Sequence, residues 1–301
     1  MKRVKILKQH KPIAGVLLVA LLCASLVSDA LAQRRRNRSK PQTSHSRTVL
    51  SPEAREMVEL ASVAVCKERT TDPKPSIPID DMQGRPSLPV ESLEAVAGAK
   101  RAQQLLPVTK QLVIATLRQL ADEYKLRDSR AHSLRIQRAI ARVAAVRNIR
   151  PDVESRDNAS VFLHSPRTII FGTIFLAGLP SDEAMISVLS HELVHIADGN
   201  EDGLSLLFRA VGNRASNLAA LPVRGQRAEE LTCDLVGMLA ARRYVAREPS
   251  YEPLARRISR SLAHNCVAED DGDEDHLSPR STIRALLALN PTLTRELVYS
   301  R

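Results

Sequence analysis

The stretch PSDEAMISVLSHELVHIADG, residues 180–199, constrains this chain more than any other. Ser181 stands where a helix N-cap belongs, Asp182 and Glu183 follow in the first turn, where the helix dipole favours acids, and Gly199 is a natural stop. The spacing predicts one helix over 181–198. On it His191 and His195 are four apart and share a face, close enough for both imidazoles to bind one ion. Glu192 lies between them on the edge of that face, within reach of a metal-bound water. A metal such as zinc brings the pKa of that water toward neutrality, and a carboxylate then completes its deprotonation and carries the proton to a leaving amine. Three fixed residues of this kind arise by chance in roughly one chain in a hundred of this size, so a helix with two unrelated histidines is the competing reading.

A catalytic zinc takes three protein ligands and keeps one position open, so two histidines do not suffice. A second helix, expected over 225–247, contains RAEELTCDLVG, in which Glu230 and Asp234 are again four apart while Leu231, Leu235 and Met238 make a core-facing stripe. Glu230 can bind zinc, and Asp234 can accept the free ring N–H of His191 and fix its tautomer. Glu229 is an alternative ligand, less favoured because the residue four further on is Cys233 rather than an acid. Alone, a Glu-x-x-x-Asp pair is usually just a solvated helix face.

Elsewhere the pattern is mostly helical. Residues 51–67 read as a short helix capped by Ser51, followed by a linker with five prolines. Helices are expected over 91–106, 107–127 and 130–147, the second with Val113, Leu117, Leu120 and Tyr124 on one face, the third with Ile136, Ile140, Val143 and Val146. Short β-branched and aromatic runs between 152 and 172 predict two or three strands. Helices follow over parts of 200–224, over 251–264 and in PRSTIRALLAL. The acidic run EDDGDED lacks the ligand spacing of an EF-hand and reads as a solvated loop.

Charge locates differently. Of 44 Lys and Arg, eleven lie in residues 1–50, together with one of the 34 acids, which leaves 33 of each sign beyond residue 50. That argues against a nucleic-acid-binding body. Residues 1–32 have a basic start, the apolar run IAGVLLVALLCASLV and an Ala-x-Ala ending, the layout of a cleavable signal peptide. An uncleaved N-terminal anchor is the alternative, although the run is short of the roughly 20 residues a bilayer requires. A periplasmic or secreted protein with no integral span after cleavage is expected. The basic leader 33–50 would be disordered, or would touch anionic lipid or polymer through RRRNR. Three cysteines then remain. No two have zinc-finger spacing, and an odd count allows at most one intramolecular bridge, Cys66 with Cys266 if Cys233 is buried.

Together these motifs resemble the zinc metallopeptidases of family forty-eight, which include the CAAX prenyl endopeptidases, the HtpX-type heat-shock proteases and soluble periplasmic relatives. The resemblance runs over residues 158–199 and resumes at EELTCDLVGMLAARR, residues 229–243. It implies an α+β, mainly α fold: a zincin-like core over 91–301, with a small sheet and a zinc-binding helix pair, preceded by the helix and linker of 51–90. It also implies His191, His195 and Glu230 as ligands of one zinc ion per chain, Glu192 as general base and Asp234 as the partner that orients His191. The family often has His-Pro with Arg five residues after the proline; Pro279 and Arg284 keep that spacing, but Ser278 replaces the histidine. His276, two residues earlier, is the candidate oxyanion donor, with Tyr244 and Tyr251 as rivals. Cys233 is expected to pack beside the site. The implied activity is endopeptidase cleavage of polypeptides, misfolded envelope proteins among them, with an edge strand near 160–171 binding extended substrate by strand addition. A non-catalytic binding or chaperone-like protein on the same scaffold is the alternative.

Overall fold

The structure is a computed structural model and describes residues 49–71, 85–162, 164–201, 203–263, 266 and 272–299. The expected signal segment, nearly all of the basic leader, most of the proline-rich linker and much of the acidic run lie outside the described residues. From Arg47 to Arg301 the chain forms one unit. In order, its elements are α1 (Pro52–Thr71), α2 (Leu93–Glu123), α3 (Arg130–Ala145), β1 (Asn148–Asp152), β2 (Ala159–Val161), β3 (Thr168–Gly172), α4 (Thr173–Gly178), α5 (Asp182–Asp198), α6 (Ser205–Ala219), α7 (Gln226–Val245), α8 (Leu254–Ala263), α9 (Pro279–Leu289) and α10 (Pro291–Tyr299). The fold is mainly helical with one small sheet. Among the described residues no helix is long and apolar enough to cross a membrane.

α5 is the centre. Apolar and small residues occur on every side of it, and a helix of that kind is stable only when enclosed; α2, α3, α7 and α8 pack around it. Its ends are tied. Ser181 Oγ accepts from Ala184 N at 3.2 Å. At the other end Arg142, reaching from α3, donates to the carbonyls of Ala197 and Asp198 at 2.9 and 2.8 Å, which satisfies acceptors that the helix leaves over. Gly199 closes the helix at φ 58°.

α7 crosses α5 most intimately. A Cβ on Gly237 would lie 2.7 Å from the Ser187 carbonyl, so only glycine permits this approach. With Ser187 beside Gly237, His191 beside Asp234 and His195 beside Glu229, the two helices run antiparallel.

The sheet has the order β1-β3-β2, with β1 parallel and β2 antiparallel to β3. This corrects the expected edge strand: Thr168–Gly172 is the central strand, paired on both sides, and only the three residues Ala159–Val161 form an edge near the α5 side. The sheet also begins earlier than expected, at Asn148. Pro151 is tolerated because β1 is itself an edge strand.

Two further differences concern helices. The expected break before Pro107 is absent, and α2 runs through it. An interior proline costs about 3 kcal/mol, yet Leu106, Leu112, Val113, Leu117 and Leu120 on this helix are all buried, and that continuous stripe outweighs one lost hydrogen bond. α10 was not anticipated; Asn290 caps it, its side-chain oxygen accepting from Leu293 N at 3.1 Å. Cys66 and Cys266 form a disulfide, and Cys233 is free and buried, as the residue count anticipated.

Candidate metal centre

The antiparallel crossing sets the i, i+4 pair of α5 against the i, i+4 pair of α7. His191 Nδ1 lies 2.8 Å from Asp234 Oδ1, and His195 Nδ1 lies 3.0 Å from Glu229 Oε1. Each ring nitrogen therefore donates its N–H to a carboxylate on α7. That leaves the opposite nitrogens, both Nε2, with their lone pairs turned to a common point, 3.1 Å apart. Glu230 Oε2 completes a triangle at 3.2 Å from His191 Nε2 and 3.5 Å from His195 Nε2. Its other oxygen accepts from Gln226 Nε2 at 3.1 Å.

Three lone-pair atoms so close repel unless positive charge lies among them. Protons can supply it. Burial opposes charging of both rings, but the carboxylates of Asp234, Glu229 and Glu230 that bond them outweigh it, so His191 and His195 are more basic than a free imidazole. Burial likewise opposes ionisation of Glu230, and hydrogen bonds from the two histidines overcome it and hold its carboxyl well below the usual range. A cation can supply the charge as well. Nitrogen and oxygen donors at about 2.0–2.1 Å from one tetrahedral ion lie about 3.3–3.4 Å from each other, close to the three edges seen here.

His191, His195 and Cys233 also offer atoms within 4.8 Å of one another, a buried group that could hold a metal ion. Within it the sulfur lies 3.8 Å from His195 Nδ1, the nitrogen already engaged by Glu229. Burial pushes the Cys233 thiol up, so the neutral form is favoured. The Glu230 side is the better donor set. Glu192 is 6% exposed, and burial pushes its carboxyl up despite the pull of both histidines.

His276 reaches the same place from a loop 46 residues beyond Glu230. Its Nε2 lies 3.8 Å from Glu230 Oε2, at the exposed rim of the centre. Asp273 shapes the turn: its Oδ1 accepts from the Asp275 and His276 backbone N–H groups at 2.8 and 2.6 Å and lies 3.0 Å from His276 Nδ1. Arg227, in the first turn of α7, anchors the loop through the Asp273 carbonyl, its Nε donating at 3.1 Å. Ser278, where a histidine was sought, caps α9, its Oγ accepting from Ser281 N at 3.3 Å.

The rival oxyanion donors are elsewhere. Tyr244 bonds Asp182 at 3.4 Å, at the opposite end of α5 from the histidines, and the neighbouring acid helps burial push its hydroxyl up to about 12. Tyr251 is fully exposed. Arg284, whose spacing from Pro279 matched the family, pairs with Glu59 of α1 at 2.6 Å.

Sequence reasoning missed two contributors. Glu229 was weighed only as a ligand and instead bonds Nδ1 of His195; the antiparallel crossing would have pointed to it, since the residue four along α5 from His191 meets the residue five back along α7 from Asp234. Arg227 carried no signal, because a lone arginine in a helix's first turn is unremarkable.

Comparison of the chain with protein-family models, with curated proteins and with solved structures gives no match. The functional reading rests on the residues and their geometry.

Proposed function

We propose that this chain is a zinc-dependent endopeptidase of the family forty-eight type, with a zincin-like core, acting in the periplasm or outside the cell. The observation that carries the reading is the convergence of His191 Nε2, His195 Nε2 and Glu230 Oε2 with edges of 3.1 to 3.5 Å. These three side chains hold the ion. Zinc bound there supplies Lewis acidity, polarising a peptide carbonyl and bringing the pKa of water toward neutrality. Glu192 takes the proton of the attacking water and passes it to the leaving amine, a role that suits a buried carboxyl with raised proton affinity. Asp234 and Glu229 keep both Nδ1 atoms occupied, so each ring presents Nε2. His276 serves as the oxyanion donor at the rim, with Asp273 as the partner of its Nδ1. The short edge β2 is where an extended polypeptide would add. The Cys66–Cys266 disulfide suits an oxidising compartment.

The test is metal content, by mass spectrometry of the purified chain beside a His191→Ala variant. One zinc per chain, lost in the variant, is expected. No metal after reconstitution with zinc overturns the reading and puts a non-catalytic binding protein ahead of it.

A further inference from the structure

We propose that a cleft at the C-terminal end of α7, far from the paired histidines, binds a monoanionic carboxylate carried on an apolar body. The distance follows from the helix: Glu230 and Arg243 are thirteen residues apart, about 20 Å along the axis. The cleft encloses about 470 Å³, a volume typical of small-molecule sites.

Its floor is apolar, made by Leu120, Leu235, Leu239 and Leu289. Three guanidinium groups line it, Arg214 of α6 and Arg242 and Arg243 of the last turn of α7. Two are neutralised. Arg242 Nη2 pairs with Glu296 Oε1 at 2.5 Å. Arg214 pairs with Glu123 and lies 5.8 Å over the Tyr124 ring. Arg243 differs: among the described residues its partner is the Gln119 side-chain oxygen, a neutral acceptor. The cleft therefore carries one positive charge in excess of its acids. One excess charge above leucines selects a monoanion with an apolar tail over inorganic phosphate, and a guanidinium binds a carboxylate through two parallel hydrogen bonds.

The other wall is the start of α10. Asn290, Pro291 and Thr292 line the cleft there. Asn290 uses its side-chain oxygen to cap the helix, which leaves its amide N–H₂ as a donor. That donor assists; the Arg243 charge over the leucine floor is what selects the ligand.

Two sources share this chemistry, a free fatty acid and the C-terminus of a polypeptide ending in an apolar residue. Isothermal titration calorimetry on the full chain separates them, using decanoate below its micelle concentration, a pentapeptide ending in Val-Leu, their neutral counterparts decanol and the peptide amide, and inorganic phosphate. At least one carboxylate should bind saturably, at least tenfold tighter than its neutral counterpart and than phosphate. Arg243→Gln should weaken it at least tenfold with circular dichroism unchanged, and Arg243→Lys should recover part of the loss. Binding of decanoate alone identifies the free amphiphile, and binding of the peptide alone identifies the chain terminus. No saturable binding of either carboxylate, equal binding of a neutral counterpart, tighter binding of phosphate, or indifference to Arg243→Gln overturns the proposal.

Discussion

The two ends of α7 treat charge in opposite ways. At its N-terminal end Glu229, Glu230 and Asp234 are largely enclosed, and each meets a histidine nitrogen of α5 at 2.8 to 3.5 Å. At its C-terminal end Arg242 and Arg243 line an open cleft, and Arg243 faces a neutral amide. The difference follows from desolvation. A charge removed from water must be matched by fixed partners, so the enclosed end is a set of paired groups that converge on one another. At the half-exposed end solvent tolerates an unmatched charge, which remains free to attract a ligand.

The largest expected effect tests whether the enclosed end performs chemistry at all. Glu192→Gln should keep zinc and lower kcat on an unfolded protein substrate by about 10²–10⁴-fold; full activity in a metal-loaded variant would sink the mechanism. The disulfide tests what holds that end together. Cys66 on α1 is bridged to Cys266, 200 residues on, at the start of the segment that brings His276 to the rim. Cys66→Ser should cost about 2–4 kcal/mol in chemical denaturation, and an unchanged midpoint would show that the packing of α1 against α8, α9 and α10 suffices without it. Asp234→Asn tests the matching itself. Loss of the charge behind His191 should weaken zinc affinity about 10–100-fold, read by competition with a chelator, and an unaltered affinity would mean that the ring needs no partner to be held. The smallest effect belongs beyond the other end of the helix. Tyr251→Ala should change stability by no more than about 0.5 kcal/mol and leave cleavage intact; a large loss of kcat would return this tyrosine to the catalytic groups.

Much of the enclosed end was legible in the sequence because its information is local. Spacing of four places side chains on one face wherever a helix forms, so His191 with His195 and Glu230 with Asp234 needed no tertiary knowledge, and neither did the Ser181 and Gly199 boundaries. The sheet was located only coarsely. β3 looked like an edge because a short apolar run says nothing of how many neighbours it has, and pairing on both sides depends on β1, a strand hidden in a run containing proline. α2 was divided at Pro107 for a local reason that long-range burial overrode. Tyr244 and Tyr251 were candidates by residue type alone, and their positions in space remove them from the centre.

What the sequence by itself determined is the helix periodicity, the caps, the paired histidines and paired carboxylates, the cysteine pairing once Cys233 is buried, and the concentration of net charge in the first 50 residues. Tertiary structure decided that Gly237 lets α7 lie antiparallel on α5, that Glu229 orients His195, that His276 arrives beside Glu230, and that three arginines from two helices share a leucine-floored cleft. The physical reason is range. Helical geometry is set within four residues and can be read from spacing, whereas the meeting of groups tens of residues apart is set by how buried surfaces fit, and no short stretch of the chain contains that information.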